Sequence, residues 1–260
     1  MAHTVLFRPL VPPLTLSPAS ENGGMLTSWE RSGFHVSAER RGAGGAKGGD
    51  FYTLAVRAPG RIGVVIGDTC GWGADGEEQL ALILPKVRDL ALSGLSPARL
   101  LSELNRTVIA ELALDRFVTA AAFELDAQRG VFTVANAGHV PAMLRRAGQV
   151  SVVGSASGAP LGFSEDSTYT EEHHELSRGD VIVLMTDGVL EAVEANLAKM
   201  STLRTLFAET REGAYGVHRL LLRKFEECTA GRRADDMTLV ALEAMTDVSA
   251  SNTIEYAKAS

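Results

Sequence analysis

Strand-like segments in this chain come in runs, separated by runs of helix-like segments. Phe51 to Val56 and Arg61 to Ile66 are two apolar, β-branched stretches split by Ala58, Pro59 and Gly60, and a hairpin is the simplest way to join them. Apolar residues then recur at three and four, at Leu80, Ile83, Leu84, Val87, Leu90 and Ala91, which marks one face of a helix that Pro85 is expected to kink. Ser96 and Pro97 open a second helix, the hydroxyl as N-cap and the proline in the first turn, with Leu100, Leu101, Leu104, Val108, Ile109 and Leu112 as its buried stripe. Strands follow at Phe117 to Leu125, Val131 to Ala135, Ala142 to Arg146, Ser151 to Val153 and Val181 to Met185. The last is apolar throughout and is expected to be buried on both faces. A mixed helical stretch from Val189 to Thr210, a helix from Tyr215 to Cys228 and a core strand from Met237 to Leu242 complete the pattern.

This order argues for an α+β fold of antiparallel sheets covered by helices, not for alternating βαβ units. No internal repeat or second domain boundary is visible. Residues 1–28 read as a Pro-rich N-terminal arm, 29–245 as the folded domain and 246–260 as a polar tail.

Composition removes several function classes. The 32 acids against 25 Lys plus Arg give a formal charge of -7, which argues against nucleic acid as a partner because phosphate-backbone binding rests on clustered cations. Two cysteines, Cys70 and Cys228, are too few for a disulfide scaffold and fit a reducing compartment. The N-terminal stretch lacks a basic region and is broken by Pro9, Pro12, Pro13 and Pro18, so no signal peptide is expected; no apolar run reaches membrane-spanning length either. The expectation is a cytoplasmic protein with no membrane partner.

Eleven of the 26 glycines lie between Gly42 and Gly76, where they alternate with strands and acids. In this context stand four aspartates, each at the end of an apolar strand next to glycine or a second acid: Asp50 in GGDFY, Asp68 in VVIGDTCGWG, Asp187 in VIVLMTDGV, and Asp235 or Asp236 in ADDMTLV. Carboxylates at such positions raise one another's pKa, and two of them about 4 Å apart repel by roughly 4 kcal/mol at an effective dielectric of 20. No Arg or Lys lies within two positions of Asp50, Asp68 or Asp187, so a divalent cation is the economical counter-charge. All-oxygen donors without paired His or Cys suit Mg²⁺ or Mn²⁺, not structural Zn²⁺.

The motifs GGDFY, GD-x-x-G-x-G before a helix, ANAGHVP, G-x-PLG, GDVIVLMTDGVLEA and DDMT, in that order over residues 30 to 244, resemble bacterial metal-dependent (PPM, type-2C) serine/threonine protein phosphatases of the SpoIIE and RsbU kind. The resemblance implies a four-layer αββα arrangement, an antiparallel β-sandwich flanked by helices, with two Mn²⁺ or Mg²⁺ ions at one end. Carried over by position, it makes Asp68 the bridge between the ions and gives Thr69 a backbone carbonyl as ligand. Asp50 and Asp187 would bind directly or through water, and Asp235 takes the metal-binding place of the acidic pair. Asp68 and Asp187 are the expected catalytic residues, and Glu191 is a weaker second acid. The implied chemistry is attack of a metal-activated water on phosphoserine or phosphothreonine. The implied substrate is a phosphorylated STAS-type anti-sigma-factor antagonist in partner-switching regulation.

Two positions differ from relatives, the first from that bacterial pattern and the second only from the eukaryotic branch. Trp72 stands where relatives have a histidine, and an indole cannot exchange a proton. Gly45 stands where eukaryotic relatives place an arginine five residues before the first aspartate. Trp72 motivates an alternative, a pseudophosphatase that sequesters a phosphoprotein; a third reading is a hydrolase of small phosphate esters. Asn136 and His139 are expected to hold a turn, His173 and His174 to lie on a solvated surface, and Cys70 to pack as a small apolar residue. Lys47 and the loop from Gly42 to Gly49 are expected either to approach a substrate phosphate or to form a mobile loop.

Overall fold

The computed structural model describes residues 15–16, 27–42, 48–71, 74–190, 200–229 and 235–245. In chain order the elements are β1 (Thr15–Leu16), β2 (Thr27–Arg31), β3 (Phe34–Arg41), β4 (Phe51–Ala58), β5 (Arg61–Thr69), α1 (Ala74–Leu92) and α2 (Pro97–Glu111). Then come β6 (Val118–Asp126), β7 (Val131–Ala137), β8 (Ala142–Arg146), β9 (Gln149–Val153), β10 (Ser157–Gly158), β11 (Glu172–Glu175) and β12 (Val181–Met185). Helices α3 (Met200–Glu209) and α4 (Ala214–Thr229) and strand β13 (Met237–Ala244) follow.

The strands form two sheets. One runs β1-β4-β5-β6-β7-β10 with β11 also on β7, and the other runs β2-β3-β13-β12-β8-β9. Every pairing is antiparallel except that of β10 with β7.

Side-chain alternation assigns the layers. Tyr52, Leu54, Val64 and Ile66 of the first sheet meet Val36, Ile182, Leu184 and Val240 of the second in a core between the sheets. The opposite face of the first sheet, with Phe51, Val65 and Ala122, packs on Ile83 and Val87 of α1 and Leu100, Leu104 and Val108 of α2. The opposite face of the second, with Val181, Val183 and Met185, packs on Phe207 of α3 and Val217, Leu221 and Phe225 of α4. The result is the expected helix, sheet, sheet, helix stack, and β12 is buried on both faces. Each fully buried Leu or Phe contributes roughly 2 kcal/mol, so these three clusters dominate the fold's stability.

Three local features add to the sequence reading. The β2–β3 hairpin turns on Ser32 and Gly33, both at positive φ (49° and 79°), a two-residue turn whose Ser-Gly sequence is a weaker signal than Asn-Gly. Helix α1 continues through Pro85, and the proline and Ala81, whose carbonyl loses its helical partner there, are both on the exposed face. Ser96 does occupy the N-cap of α2, but its hydroxyl makes no capping bond; the amide of Ala98 donates to Glu171 Oε1 at 2.9 Å instead. That acid, from the loop before β11, does the capping the serine was expected to do.

Candidate metal-dependent active site

Antiparallel pairing brings the acidic strand ends to one end of the sandwich. Asp50 immediately precedes β4, and Phe51 pairs with Gly67, so Asp50 and Asp68 are neighbours in the first sheet. Asp187 follows β12, and Asp235 and Asp236 precede β13; Met185 pairs with Leu239, so these three acids collect at the same end of the second sheet.

Close backbone approach holds the cluster together. Gly48 has φ +66°, and a Cβ there would sit 1.8 Å from Asp236 Oδ2; a Cβ on Gly49 would sit 3.1 Å from Asp68 Oδ1. These are the two GGDFY glycines, and only hydrogen fits on them. The amide of Gly49 donates to Asp236 Oδ2 at 2.7 Å, and the amide of Thr69 donates to Gly49 O at 3.3 Å. The Thr69 hydroxyl donates to Gly76 O at 3.1 Å, tying β5 to the first turn of α1.

The electrostatics follow from crowding. Burial pushes the Asp68 carboxyl up to about 9, reinforced by the charges of Asp50, Asp187, Asp235 and Asp236. Asp50, 1% exposed, is pushed up to about 7 by burial; the hydroxyls of Thr186 and Thr238 and the Arg40 cation pull it down while Asp236 raises it. Asp235 is also raised, chiefly by burial, then by Asp187 and Asp236.

Among the described residues, no three His, Cys, Asp or Glu side chains converge as ligands of one ion. The carboxylates turn to local donors instead: Asp50 Oδ2 accepts the Thr186 hydroxyl at 2.7 Å, Asp187 accepts the Gly188 amide at 2.9 Å, and Asp235 accepts the Asp236 amide at 2.8 Å. Asp50, Asp68 and Asp235, whose affinity for protons is raised, together with Asp187 and Asp236 at the same end of the sandwich, are an all-oxygen donor set that fits a hard divalent cation.

The structure brings Asp50, Asp68, Thr69, Asp187 and Asp235 together. Glu191, Trp72 and Lys47 lie outside the described residues, as do most of the expected N-terminal arm and the tail from residue 246. Two further participants, Arg40 and Thr186, escaped the sequence reading, and Asp236 takes a structural role beside its neighbour Asp235. Arg40 on β3 donates to Gly48 O at 2.9 Å and lies in the field of Asp50, Asp236 and Glu77, so Asp50 does have a nearby cation. It stands ten positions before Asp50 in sequence and reaches the site because it pairs with Thr238 across β3 and β13. Thr186 accepts the Thr238 amide at 2.9 Å while donating to Asp50, which orients that carboxylate. Asp236 is buried and supports the Gly48–Gly49 backbone, while Asp235 is exposed.

Around the cluster, Asn136 Nδ2 donates to His139 O (2.9 Å) and Gly154 O (2.8 Å), and its Oδ1 accepts the His139 amide (2.7 Å), the turn-holding role expected of that motif. His173 lies 3.0 Å from the Thr133 hydroxyl, and His174 stacks on Phe132 at 4.8 Å, so neither faces the acids. Cys70 and Cys228 are free thiols. Cys70 Sγ accepts the Phe117 amide at 3.2 Å, so it is held by a polar contact as well as by packing.

The profile of the family described as Stage II sporulation protein E (SpoIIE) matches residues 58–244. The chain belongs to the SpoIIE family. Phosphoserine phosphatase RsbU of Bacillus subtilis (strain 168) is 30% identical over 149 residues, which are 57% of this chain and 44% of RsbU. The chain thus spans less than half the length of the curated relatives it matches. The PP2C phosphatase domain of SpoIIE from Bacillus subtilis superposes with a TM-score of 0.71 at 20% identity, covering 84% of this chain and 64% of that one. RsbX, solved in complex with magnesium, superposes with a TM-score of 0.65 at 15% identity, covering 84% of this chain and 99% of RsbX. These structural likenesses establish the PP2C fold, and no helix among the described residues is long and apolar enough to cross a membrane.

Proposed function

We propose that this SpoIIE-family chain is a metal-dependent protein serine/threonine phosphatase. The observation that carries the reading is the convergence of Asp50, Asp68, Asp187, Asp235 and Asp236 from four strand ends onto one end of the sandwich, with Asp68 in the field of the other four. Asp50, Asp68, Asp187, Asp235 and the Thr69 carbonyl would hold two Mn²⁺ or Mg²⁺ ions, as RsbX, a neighbour in fold, was solved with magnesium. Divalent cations in such a site supply an activated water and neutralise phosphoryl oxygens. The chain's own contribution is positional: Thr186 fixes Asp50, Asp236 fixes the Gly48–Gly49 backbone, and Arg40 offsets the negative charge on the protein side.

The name of the relative RsbU supports a phosphoserine substrate. Within that class we assign a phosphorylated STAS-type anti-sigma-factor antagonist in partner-switching regulation.

The test is turnover of p-nitrophenyl phosphate and of a phosphoserine STAS protein with Mn²⁺ and with EDTA. Mn²⁺-dependent release of phosphate from both supports the reading. Binding of the phosphoprotein without turnover of either substrate would replace it with the pseudophosphatase alternative.

A further inference from the structure

Three of the six exposed large apolar side chains among the described residues stand on two loops beside the acidic cluster: Leu114, fully exposed, Phe117 at 43% and Phe163 at 74%. Both loops are wired to the site. The Cys70 amide, two residues after Asp68, donates to Phe117 O at 3.0 Å, and Val118 and Leu161 exchange backbone hydrogen bonds of 2.9 and 2.8 Å. A Cβ on Gly162 would lie 3.0 Å from Arg116 O and 3.6 Å from Phe117 Cα, so the loops touch.

The display of Phe163 is built, not incidental. Buried Asn105 of α2 clamps its loop on both sides, accepting the Gly162 amide at 2.8 Å and donating to Ser164 O at 2.9 Å. Gly162 has φ +88°, a conformation that turns the chain so that Leu161 is buried and Phe163 faces solvent. An exposed Phe held outward by a buried amide is a surface prepared for contact.

Charge says what kind of contact. Glu111, Asp115, Glu165 and Asp166 are exposed on the same two segments, and their one cation, Arg116, is held by Asp75 at 2.6 Å. The surface is therefore apolar with an acidic rim.

We propose that Leu114, Phe117 and Phe163 dock the protein substrate, a phosphoprotein whose phosphoserine is flanked by apolar and basic side chains. The proposal rests on the phosphatase reading, because the patch adjoins the acidic cluster and whatever presents a phosphoryl group there covers it. It deepens that reading by naming the sequence surroundings that the site selects.

The experiment compares binding of two fluorescein-labelled phosphoserine peptides, one with Leu and Arg on both sides of the phosphoserine, the other with Gly and Glu, by anisotropy in Mn²⁺. Covering two large apolar side chains gives a preference of roughly tenfold or more for the first peptide. The double variant Leu114→Ser, Phe163→Ser should lose that preference; both side chains are exposed, so its melting temperature should match that of the unaltered protein. Phe163→Leu should retain most of the preference. Equal affinity of both peptides for the unaltered protein overturns the proposal, as does a preference that survives in the double variant. A dimer that the double variant breaks also overturns it, assigning the patch to a second copy of the chain. Absence of Mn²⁺-dependent turnover of p-nitrophenyl phosphate would count against the phosphatase reading alone, since the peptide comparison needs no turnover.

Discussion

The Asp236 carboxylate accepts the Gly49 amide at 2.7 Å across a separation of 187 residues. This bond joins the loop before β4 to the loop before β13, and so fastens the acidic end of one sheet to that of the other. Gly48→Ala should break it, because the new Cβ would lie 1.8 Å from Asp236 Oδ2 and the residue would keep a positive φ. The strain and the lost bond together should cost about 2 to 4 kcal/mol. Denaturant unfolding gives the stability, and Mn²⁺ titration should show weaker binding; an unchanged midpoint would refute the clasp.

Asp68 carries the strongest crowding in the cluster. Asp68→Asn keeps the shape and removes a carboxyl that burial and four neighbours disfavour as an anion. In EDTA the variant should therefore melt at a higher temperature than the unaltered protein. With Mn²⁺ the order should reverse, because ligand binding stabilises only the form that retains the site. Equal Mn²⁺ stabilisation of both proteins would remove Asp68 from the ligand set.

His139 supplies a pH test. Burial lowers its pKa from the ordinary 6.5 to about 4. A group depressed in the fold binds protons more readily when unfolded, so its contribution is complete above 6.5 and is lost as pH falls from 6.5 toward 4. By pH 5 the loss should be about 2 kcal/mol. His139→Gln should be less stable at pH 7, through its altered contact with the Thr119 hydroxyl, yet show a shallower decline to pH 5. Parallel stability curves for the two proteins would exclude the histidine as the source.

Asn136→Ala removes three hydrogen bonds from a side chain that is 1% exposed and leaves the His139 amide and the carbonyls of His139 and Gly154 without their partner. The expected loss is about 2 to 4 kcal/mol. Urea unfolding checks it; a loss below about 1 kcal/mol would mean that water replaces the amide.

The layer architecture was legible because burial writes itself into periodicity. Val181 to Met185 reads as a doubly buried strand, and the structure buries all five residues. The strand-end aspartates were legible for a related reason, since an acid after an apolar run needs a special environment. What stayed hidden depends on pairing between distant strands. Arg40 reaches Asp50 only through the register of β3 on β13, and Asp236 could not be told from Asp235 because the two differ in which way the chain turns before β13. The capping of α2 by Glu171, 73 residues away from Ala98, is of the same kind.

Strand β13 sits in the interior of its sheet, between β3 and β12, although it is the last strand in the described chain. During synthesis, β3 and β12 emerge with a gap between them that only residues 237–244 can fill. Asp235 and Asp236 arrive with that same segment, so the acidic cluster and the second sheet close in one late event. A ribosome stalled before this point would display a polypeptide with open strand edges and an incomplete set of acids, prone to association.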